Sequence, residues 1–273
     1  MSLNKSEVEQ FENKGYLILD EVFEKELTLE FCINLINIIN SFKLEKINIQ
    51  NYQNLDLKEL SEITLKSLHT LELIDHKYIK IIYDTIRDTD LLYRMTNSKK
   101  ILNSIYRLMG HNNKIPLYVK QVACRIDMPN DNTFSLDWHQ EAHYSIKGSQ
   151  FIQLWAPIIN NVGKENGSIK ILESSNLEGV TETIDYVPKV GHAQYKPKQE
   201  IIDKYNEIQI ELKLGQVLLF SNTLIHKSGV NSSEHPRLTL LAHYHNPLNQ
   251  KFLESIGQKE IEPASRNTYK QSS

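Results

Sequence analysis

The sequence contains no long hydrophobic run and little charge imbalance, and each absence narrows the possible functions. No run approaches the roughly 18 to 20 apolar residues that cross a bilayer. The polar N-terminal residues lack the apolar segment of a signal peptide. The chain carries 31 basic and 34 acidic residues, a net charge of −3, and this balance does not predict a nucleic-acid partner. We therefore expect a cytoplasmic protein that binds neither membrane nor nucleic acid.

Cysteine is also scarce, with two residues among 273. Cys32 and Cys124 are far apart and have apolar neighbours, which favours buried reduced thiols over a disulfide. With 40% hydrophobic and 24% charged residues, the composition is that of an ordinary globular protein. We expect a single domain over 1–273 with a substantial core. The oligomeric state stays open at this stage.

The hydrophobic pattern changes near Pro116. Upstream, helical spacing predicts a helix over 24–42 and three more over 57–110, and Ser6 with Glu9 is typical of a capping box. A short strand is predicted to start at the glycine before residue 16. Downstream, short apolar runs between Gly, Asn, Pro and Ser residues predict strands. These runs are 117–126, 151–159, 168–172, 207–214, 216–221 and 237–245.

Helices followed by strands predict an α+β fold in which helices cover an antiparallel sandwich or barrel. We expect a mainly helical part over 1–115, a barrel core over 116–246 and a polar C-terminal tail over 247–273. Residues 173–206 show little periodicity, which indicates a long loop with a short helix over 198–206.

The most informative segment is Trp-His-Gln-Glu at 138–141. If residues 136–141 form a strand, His139 and Glu141 project from the same face, because side chains alternate along a strand. A distant histidine, His226, lies where a strand runs into a turn. Two neutral imidazoles and one carboxylate, with the other positions open, form the ligand set of non-haem Fe(II) oxygenases. The sequence therefore predicts an iron site at these three residues.

Arg237 and Thr239 lie two positions apart on the last predicted strand, so both face the same way. A guanidinium and a hydroxyl on one face can bind the far carboxylate of 2-oxoglutarate by a charge-assisted pair and a hydrogen bond. The same alternation places His243 and His245 on the inward face. There they either support the site, contact substrate or pack at the edge of the core.

The run Trp-His-Gln-Glu-Ala-His-Tyr at 138–144 resembles the phytanoyl-CoA dioxygenase family of Fe(II)/2-oxoglutarate enzymes, which carries a His-Gln-Asp-x-His-Tyr-like segment. Further segments are similar to that family in the same order, including a Trp-containing strand, a Glu-Asn-Gly turn and an Arg-x-Thr block. They are 11–16, 153–157, 165–169, 215–220, 226–231 and 236–239. The resemblance spans residues 8–246 and is weakest over 44–115.

This resemblance implies a double-stranded β-helix core, the cupin-like jelly-roll, with flanking helices. It implies iron bound by His139, Glu141 and His226, and 2-oxoglutarate salt-bridged to Arg237, with O₂ as the oxidant. Three more residues fall where relatives place cofactor or substrate contacts, although ordinary strand packing explains them equally well. They are Gln121, Arg125 and Trp155.

The sequence departs from the family at two points. Glu141 stands where the family usually has Asp, and its extra methylene shifts the carboxylate unless the backbone adjusts. The family's Gly-Ser-His appears here as Ser-Ser-Asn at 174–176, which removes an imidazole from the pocket side. We expect the second change to alter substrate contacts rather than iron chemistry.

The expected reaction is hydroxylation of an unactivated C–H bond, with release of succinate and CO₂. A glycine or alanine at position 141 would leave a coordination position for halide, so Glu141 argues against halogenation. Desaturation and ring closure stay open. The candidate substrate-binding residues are polar and aromatic, which favours a small polar metabolite, an amino-acid or sugar derivative, or a natural-product intermediate. They are His143, Tyr144, Gln153, Tyr186, His192 and His245.

Two other classes of function fit part of the pattern. One is a cupin-like metal-dependent enzyme of another class, such as an isomerase or an oxygenase that needs no oxo acid. The other is a barrel that binds a ligand without catalysis. Arg237 and Thr239 argue against the first, because an oxo-acid carboxylate would be their partner.

Overall fold

Helices dominate the first part of the chain and antiparallel strands the second. The computed structural model describes residues 3–111, 115–133, 135–146, 148–187 and 194–258. Its α-helices are α1 (Lys5–Lys14), α2 (Lys25–Ser41), α3 (Leu57–Ile74), α4 (Lys77–Ile86), α5 (Asp90–Thr96), α6 (Lys99–Leu108), α7 (Gln199–Ile202) and α8 (Gln250–Gln258). Its strands are β1 (Tyr16–Leu19), β2 (Tyr118–Asp127), β3 (Phe151–Pro157), β4 (Lys170–Leu172), β5 (Thr183–Tyr186), β6 (Gln194–Pro197), β7 (Glu207–Gln209), β8 (Val217–Ser221), β9 (His226–Lys227) and β10 (Arg237–His245).

The helical part differs from the prediction in two details. The capping box of α1 is formed by Asn4 and Glu7, each accepting from the other's backbone N–H, and not by the predicted pair Ser6 and Glu9. Between 57 and 110 the chain forms four helices rather than three. Asp75 adopts an extended backbone and its carboxylate accepts from the amide of Lys77 at 2.9 Å, which separates α3 from α4.

Two antiparallel sheets form the predicted jelly-roll. The larger sheet has the strand order β1-β8-β3-β10-β2, and the smaller has the order β7-β4-β9. β1 pairs along its length with β8, from Tyr16 opposite Phe220 to Leu19 opposite Val217. The N-terminal part of the chain thus supplies an edge strand of the barrel as well as its helical cover.

The inner strands β3 and β8 of the larger sheet are buried on both faces, which explains their nearly continuous apolar sequences. All seven residues of β3 are buried. Leu154 and Ala156 pack with the helices in one cluster, whereas Trp155 packs inside the barrel with Ile171 of the smaller sheet. Because side chains alternate, the odd-numbered residues of β3 and β10 face the barrel interior.

The strand prediction succeeds for the larger sheet and fails for the metal-site segment. The predicted strand over 136–141 is wrong: only His139 forms a bridge, to His226, and Glu141–His143 is a single 3₁₀ turn. The run 207–214 yields the short β7 and an isolated bridge at Leu212. The loop predicted over 173–206 contains α7 as expected, but also the hairpin β5–β6.

The cysteines and the helix lengths can be compared directly with the sequence analysis. Cys32 and Cys124 are both buried, and neither forms a disulfide, as predicted. Among the described residues, no helix is both long enough and apolar enough to span a membrane. The predicted C-terminal tail begins with the helix α8, and its last part lies outside the described residues.

Candidate metal centre

Two backbone hydrogen bonds hold the two candidate histidines side by side. The amide of His139 donates to the carbonyl of His226 at 2.9 Å, and the amide of His226 donates back at 3.0 Å. Their ring centroids lie 4.1 Å apart. The bridge therefore replaces the regular strand that the sequence predicted at this position, and it fixes the spacing of two imidazoles.

Backbone carbonyls also set which ring nitrogen of each histidine is free. Nδ1 of His139 lies 2.7 Å from the carbonyl oxygen of Asp137, and Nδ1 of His226 lies 2.9 Å from that of Leu224. A carbonyl oxygen only accepts, so each Nδ1 carries the proton. Each Nε2 then presents a lone pair, as a metal ligand requires.

Glu141 completes a group of three donors. Its Oε2 lies 3.7 Å from Nε2 of His139 and 3.9 Å from Nε2 of His226. One ligand atom from each of the three residues lies within 4.8 Å of the others. Although Glu141 follows a bridge instead of occupying a strand, the 3₁₀ turn directs its carboxylate to the same point. This is a donor set that can hold a divalent metal ion.

The protonation states suit cation binding. Burial lowers the pKa of His226 to about 3, so the ring is neutral at neutral pH. Burial acts to raise the pKa of the Glu141 carboxyl, but the neighbouring imidazoles of His139, His243 and His226 lower it to about 2. The site therefore offers the neutral imidazole of His226 and one carboxylate anion, beside the Nε2 atom of His139.

A residue that the sequence analysis did not single out anchors the loop between the ligands. Gln140 is fully buried, and its amide nitrogen donates to the carbonyls of Gly179 and Thr223 at 2.8 and 2.5 Å. Its amide oxygen accepts from the backbone and hydroxyl of Thr181. Every polar group of this side chain is satisfied, so the loop that carries His139 and Glu141 is tied to two neighbouring loops.

Arg237 lies at one end of the same cavity in a buried charge cluster. Its Nη2 is 2.8 Å from Oδ2 of Asp127, while Nε of Arg125 is 2.6 Å from Oδ1 of the same carboxylate. Nη1 of Arg237 donates to the carbonyl of Asn166 at 3.2 Å. The two guanidinium groups hold the pKa of Asp127 below its usual value against the effect of burial. One carboxylate faces two guanidinium groups, so the cluster keeps a net positive charge.

Asp127 was missed in the sequence because no motif marks it. It lies opposite Arg237 in the β2–β10 register, and only knowledge of that register shows that the two side chains meet. His243 was noted by its parity on β10 but not assigned to the site. In the structure its Nε2 lies 3.5 Å from Oε1 of Glu141.

The cavity that contains these groups has a volume of about 330 Å³, at the lower end of small-molecule sites. Its wall includes Tyr83 and Arg87 from the end of α4, which the sequence analysis did not predict. Several predicted site residues line it. They are Gln121, Arg125, His139, Glu141, Gln153, Trp155, His226 and Arg237.

Other predicted substrate residues lie elsewhere. His143 and Tyr144 belong to the turn after Glu141, and the hydroxyl of Tyr144 accepts from the amide of Tyr195 at 2.9 Å. His245 is fully buried, with Nδ1 2.8 Å from the hydroxyl of Ser149. None of the three is part of the described cavity wall, and their substrate roles stay predictions.

Two further residues predicted to bind substrate, Tyr186 and His192, have no described side chain. The backbone of Tyr186 forms the last residue of β5, and its side chain is outside the described set. His192 lies outside the described residues altogether.

Several buried polar atoms in and beside the cavity have no hydrogen-bond partner among the described residues. They include Oε1 of Gln153 and Nδ1 of His243 in the cavity wall, and Oγ1 of Thr239 on the same face of β10 as Arg237. A buried polar atom without a partner is costly and is usually satisfied by a ligand or water. The two atoms in the cavity wall are therefore available to a polar small molecule bound there.

A jelly-roll core with a two-histidine, one-carboxylate donor set in its cavity is the arrangement of non-haem iron oxygenases. The family is more specific. The model of the phytanoyl-CoA dioxygenase (PhyH) family matches residues 11–239, so the chain belongs to this family of Fe(II)/2-oxoglutarate-dependent oxygenases. The cofactors of this class are iron and 2-oxoglutarate, with O₂ as oxidant.

Several solved structures share this fold at low sequence identity to this chain. The epimerase SnoN, in complex with Fe³⁺, alpha ketoglutarate and nogalamycin RO, is 14% identical, with 89% of this chain and 83% of that chain covered and a TM-score of 0.59. EctD from S. alaskensis with bound Fe is 13% identical, with 90% and 78% covered and a TM-score of 0.58. The non-heme monooxygenase ThoJ is 15% identical, with 88% and 77% covered and a TM-score of 0.56. No curated protein matches the chain in sequence.

Proposed function

We propose that this protein is a 2-oxoglutarate-dependent hydroxylase that oxidises an unactivated C–H bond of a small polar metabolite. The observation that supports it most is the convergence of two carbonyl-oriented imidazoles and one carboxylate on one wall of the cavity that also contains Arg237. The substrate class includes amino-acid or sugar derivatives and natural-product intermediates.

Iron would be held by His139, Glu141 and His226. The donor set fits Fe(II), because three protein ligands on one side leave positions for an oxo acid and for O₂. When bound, iron and 2-oxoglutarate supply the oxidising chemistry, with succinate and CO₂ as products. The protein's contribution is to keep both Nε2 atoms unprotonated and to keep Glu141 ionised without exposing it to bulk water.

The far carboxylate of 2-oxoglutarate would be bound by Arg237. Nη1 and Nη2 of this residue each have a second N–H beyond the contacts to Asn166 and Asp127. Oγ1 of Thr239 has no hydrogen-bond partner in the described part of the chain and offers a hydrogen bond from the same face of β10. A buried, immobilised guanidinium is suited to this task, because little side-chain entropy is lost when the carboxylate binds.

The substrate would occupy the part of the cavity between β2, β3 and the end of α4. Gln121 and Gln153 supply amide groups there, and Trp155 and Leu241 supply apolar surface. Hydrogen-bonding side chains on an apolar wall are typical of a site that orients a small polar molecule. The limited cavity volume supports a metabolite rather than a long acyl chain.

Hydroxylation is favoured over halogenation by Glu141, which occupies the position that a halide would need. Structures with this fold include an epimerase and a carbocyclase, so the fold alone does not select the reaction. If the protein were an isomerase or an oxygenase that needs no oxo acid, the buried Arg237 and Thr239 would have no oxo-acid carboxylate to bind. A ligand-binding barrel without catalysis leaves the three-donor group unexplained.

The test is succinate formation from 2-oxoglutarate by the purified protein supplied with Fe(II) and ascorbate under air. We expect slow substrate-independent turnover in the wild type and a loss of at least about a hundredfold in His139→Ala and His226→Ala. Arg237→Gln should raise the KM for 2-oxoglutarate by at least about tenfold, as expected when a buried charge partner is removed. The exposed His235→Ala serves as control. Turnover that persists in either ligand variant would exclude the proposal.

A further inference from the structure

We propose that His243 is a positioning residue that holds Glu141 in one-oxygen contact with the metal, and that this contact accommodates glutamate where the family usually has aspartate. The inference rests on the proposed function, because it assumes that Glu141 binds a metal ion.

The two carboxylate oxygens of Glu141 face different partners. Oε2 is the atom within 3.7 and 3.9 Å of the two imidazole Nε2 atoms of the three-donor group. Oε1 points the other way and lies 3.5 Å from Nε2 of His243. The carboxylate therefore spans the distance between the metal position and a third imidazole.

His243 is fixed in place by its surroundings. It is 2% exposed, and its ring stacks on that of Phe151 with centroids 4.9 Å apart and planes 29° apart. Nδ1 has no hydrogen-bond partner among the described residues. The carboxylate of Glu141 is therefore the group to which the ring can donate a hydrogen bond. In the proposal Nε2 carries the ring proton and donates it to Oε1, which lies 3.5 Å away in this structure, and the lone pair is left on Nδ1.

The strand geometry explains why His243 reaches this position. β2 contains a bulge at the same level: the register passes from Leu241 opposite Ala123 to His243 opposite Lys120. Gln121 within the bulge has a left-handed backbone with φ 55°. The extra β2 residue bends that strand while β10 stays regular, so the inward parity of Arg237 continues to His243.

Glutamate needs such a partner more than aspartate does. Its side chain has one more rotatable bond, and with both oxygens free it can chelate the metal through both. Two-oxygen chelation would use a coordination position that 2-oxoglutarate or O₂ requires. A hydrogen bond to Oε1 keeps that atom away from the metal. Hydrogen-bond partners of ligating carboxylates commonly affect metal affinity by 10- to 100-fold.

The experiment measures Co(II) affinity by calorimetry, in air-stable conditions and without turnover. We expect His243→Phe, which preserves the ring stacking but removes the donor, to weaken Co(II) binding about 10- to 100-fold. His243→Gln retains an N–H donor and should stay within about threefold of wild type. His69→Phe, the same substitution at a partly buried histidine of α3, is the matched control and should leave the affinity unchanged.

A double-mutant cycle separates positioning from a general structural role. In a Glu141→Asp background the shorter side chain withdraws from His243, so adding His243→Phe should change Co(II) affinity by less than about threefold. Equal losses in both backgrounds, or no loss in His243→Phe alone, would overturn the inference and leave the proposed function intact. A wild-type protein that binds no Co(II), with a native circular-dichroism spectrum, would overturn both.

Discussion

The burial of single side chains determines which groups around this site are ionised. Buried His245 shows how this makes the stability of the protein depend on pH. Its ring is fully buried and is hydrogen-bonded to the hydroxyls of Ser149 and Ser145. Burial, together with the charges of His243 and Lys120, lowers the pKa of His245 to about 3. The fold therefore accommodates this imidazole only in its neutral form.

His245→Gln should make the stability of the protein less sensitive to acid. An unfolded histidine takes up a proton near pH 6.5, whereas folded His245 does so only near pH 3. Between these values the unfolded state binds more protons, so the free energy of unfolding is highest above pH 6.5 and falls as the pH drops. One such group contributes a slope of about 1.4 kcal/mol per pH unit.

Urea unfolding at pH 6.5, 5.5 and 4.5 measures this slope. The variant should show a slope shallower than wild type by about 1.4 kcal/mol per pH unit. Exposed His235→Gln should keep the wild-type slope. An unchanged slope in His245→Gln would mean that the folded protein protonates this residue without cost.

The single substitution Asp127→Asn tests the buried charge cluster of Asp127, Arg125 and Arg237. Removing this carboxylate leaves Arg125 and Arg237 facing each other without their shared anion. Breaking a buried ion pair by removing one partner costs about 3 to 5 kcal/mol. We expect a loss of this size in the free energy of unfolding at pH 7, against less than about 0.5 kcal/mol for the exposed Asp185→Asn. A loss below 1 kcal/mol in Asp127→Asn would contradict the role given to the cluster.

At the scale of elements, a close approach between two turns fixes the end of the cavity beside Arg237. Gly167 has a left-handed backbone with φ 80° and lies against the backbone of Val230. Gly229 lies against the backbone of Ser168, and a Cβ at either glycine would overlap the opposite turn. Both turns line the cavity, so this contact determines where the carbonyl of Asn166 meets Arg237.

Gly229→Ala should therefore destabilise the protein and weaken 2-oxoglutarate binding together. The added methyl must displace a backbone oxygen, and an overpacked site of this kind costs about 1 to 3 kcal/mol. Gly163→Ala is the control, because its Cβ would meet only ordinary contacts. Thermal unfolding with and without 2-oxoglutarate measures both effects. Equal melting temperatures for the two variants would show that the turns separate easily.

The sequence predicts best those elements whose burial follows from their own residues and not from pairing with a distant segment. β10 matches its predicted bounds because nine residues in a row are buried or nearly so. The segment 136–141 could not be predicted in the same way, because its pairing is one bridge to the two-residue strand β9. The hairpin β5–β6 was missed because exposed residues such as Ile184 and Tyr195 give no consistent apolar face.

For the whole molecule, segments of the helical part contribute a strand to the barrel and residues to the cavity wall. β1 pairs with β8, the hydroxyl of Tyr244 donates to the carbonyl of Thr96 at 2.5 Å, and the end of α4 supplies Tyr83 and Arg87 to the cavity wall. The sequence predicted the three donors because ligand chemistry belongs to the residues themselves. It could not predict Asp127, His243 or the helical wall, since those depend on register and on packing between distant segments.

The central claim is that one metal ion is bound by Nε2 of His139, Oε2 of Glu141 and Nε2 of His226. The most direct measurement is anomalous diffraction at the iron edge from crystals grown anaerobically with Fe(II). We predict one strong peak per chain, within roughly 2.3 Å of all three atoms, a distance usual for nitrogen and oxygen ligands. A peak bound elsewhere, or no peak at this position in crystals that contain iron, would contradict the account.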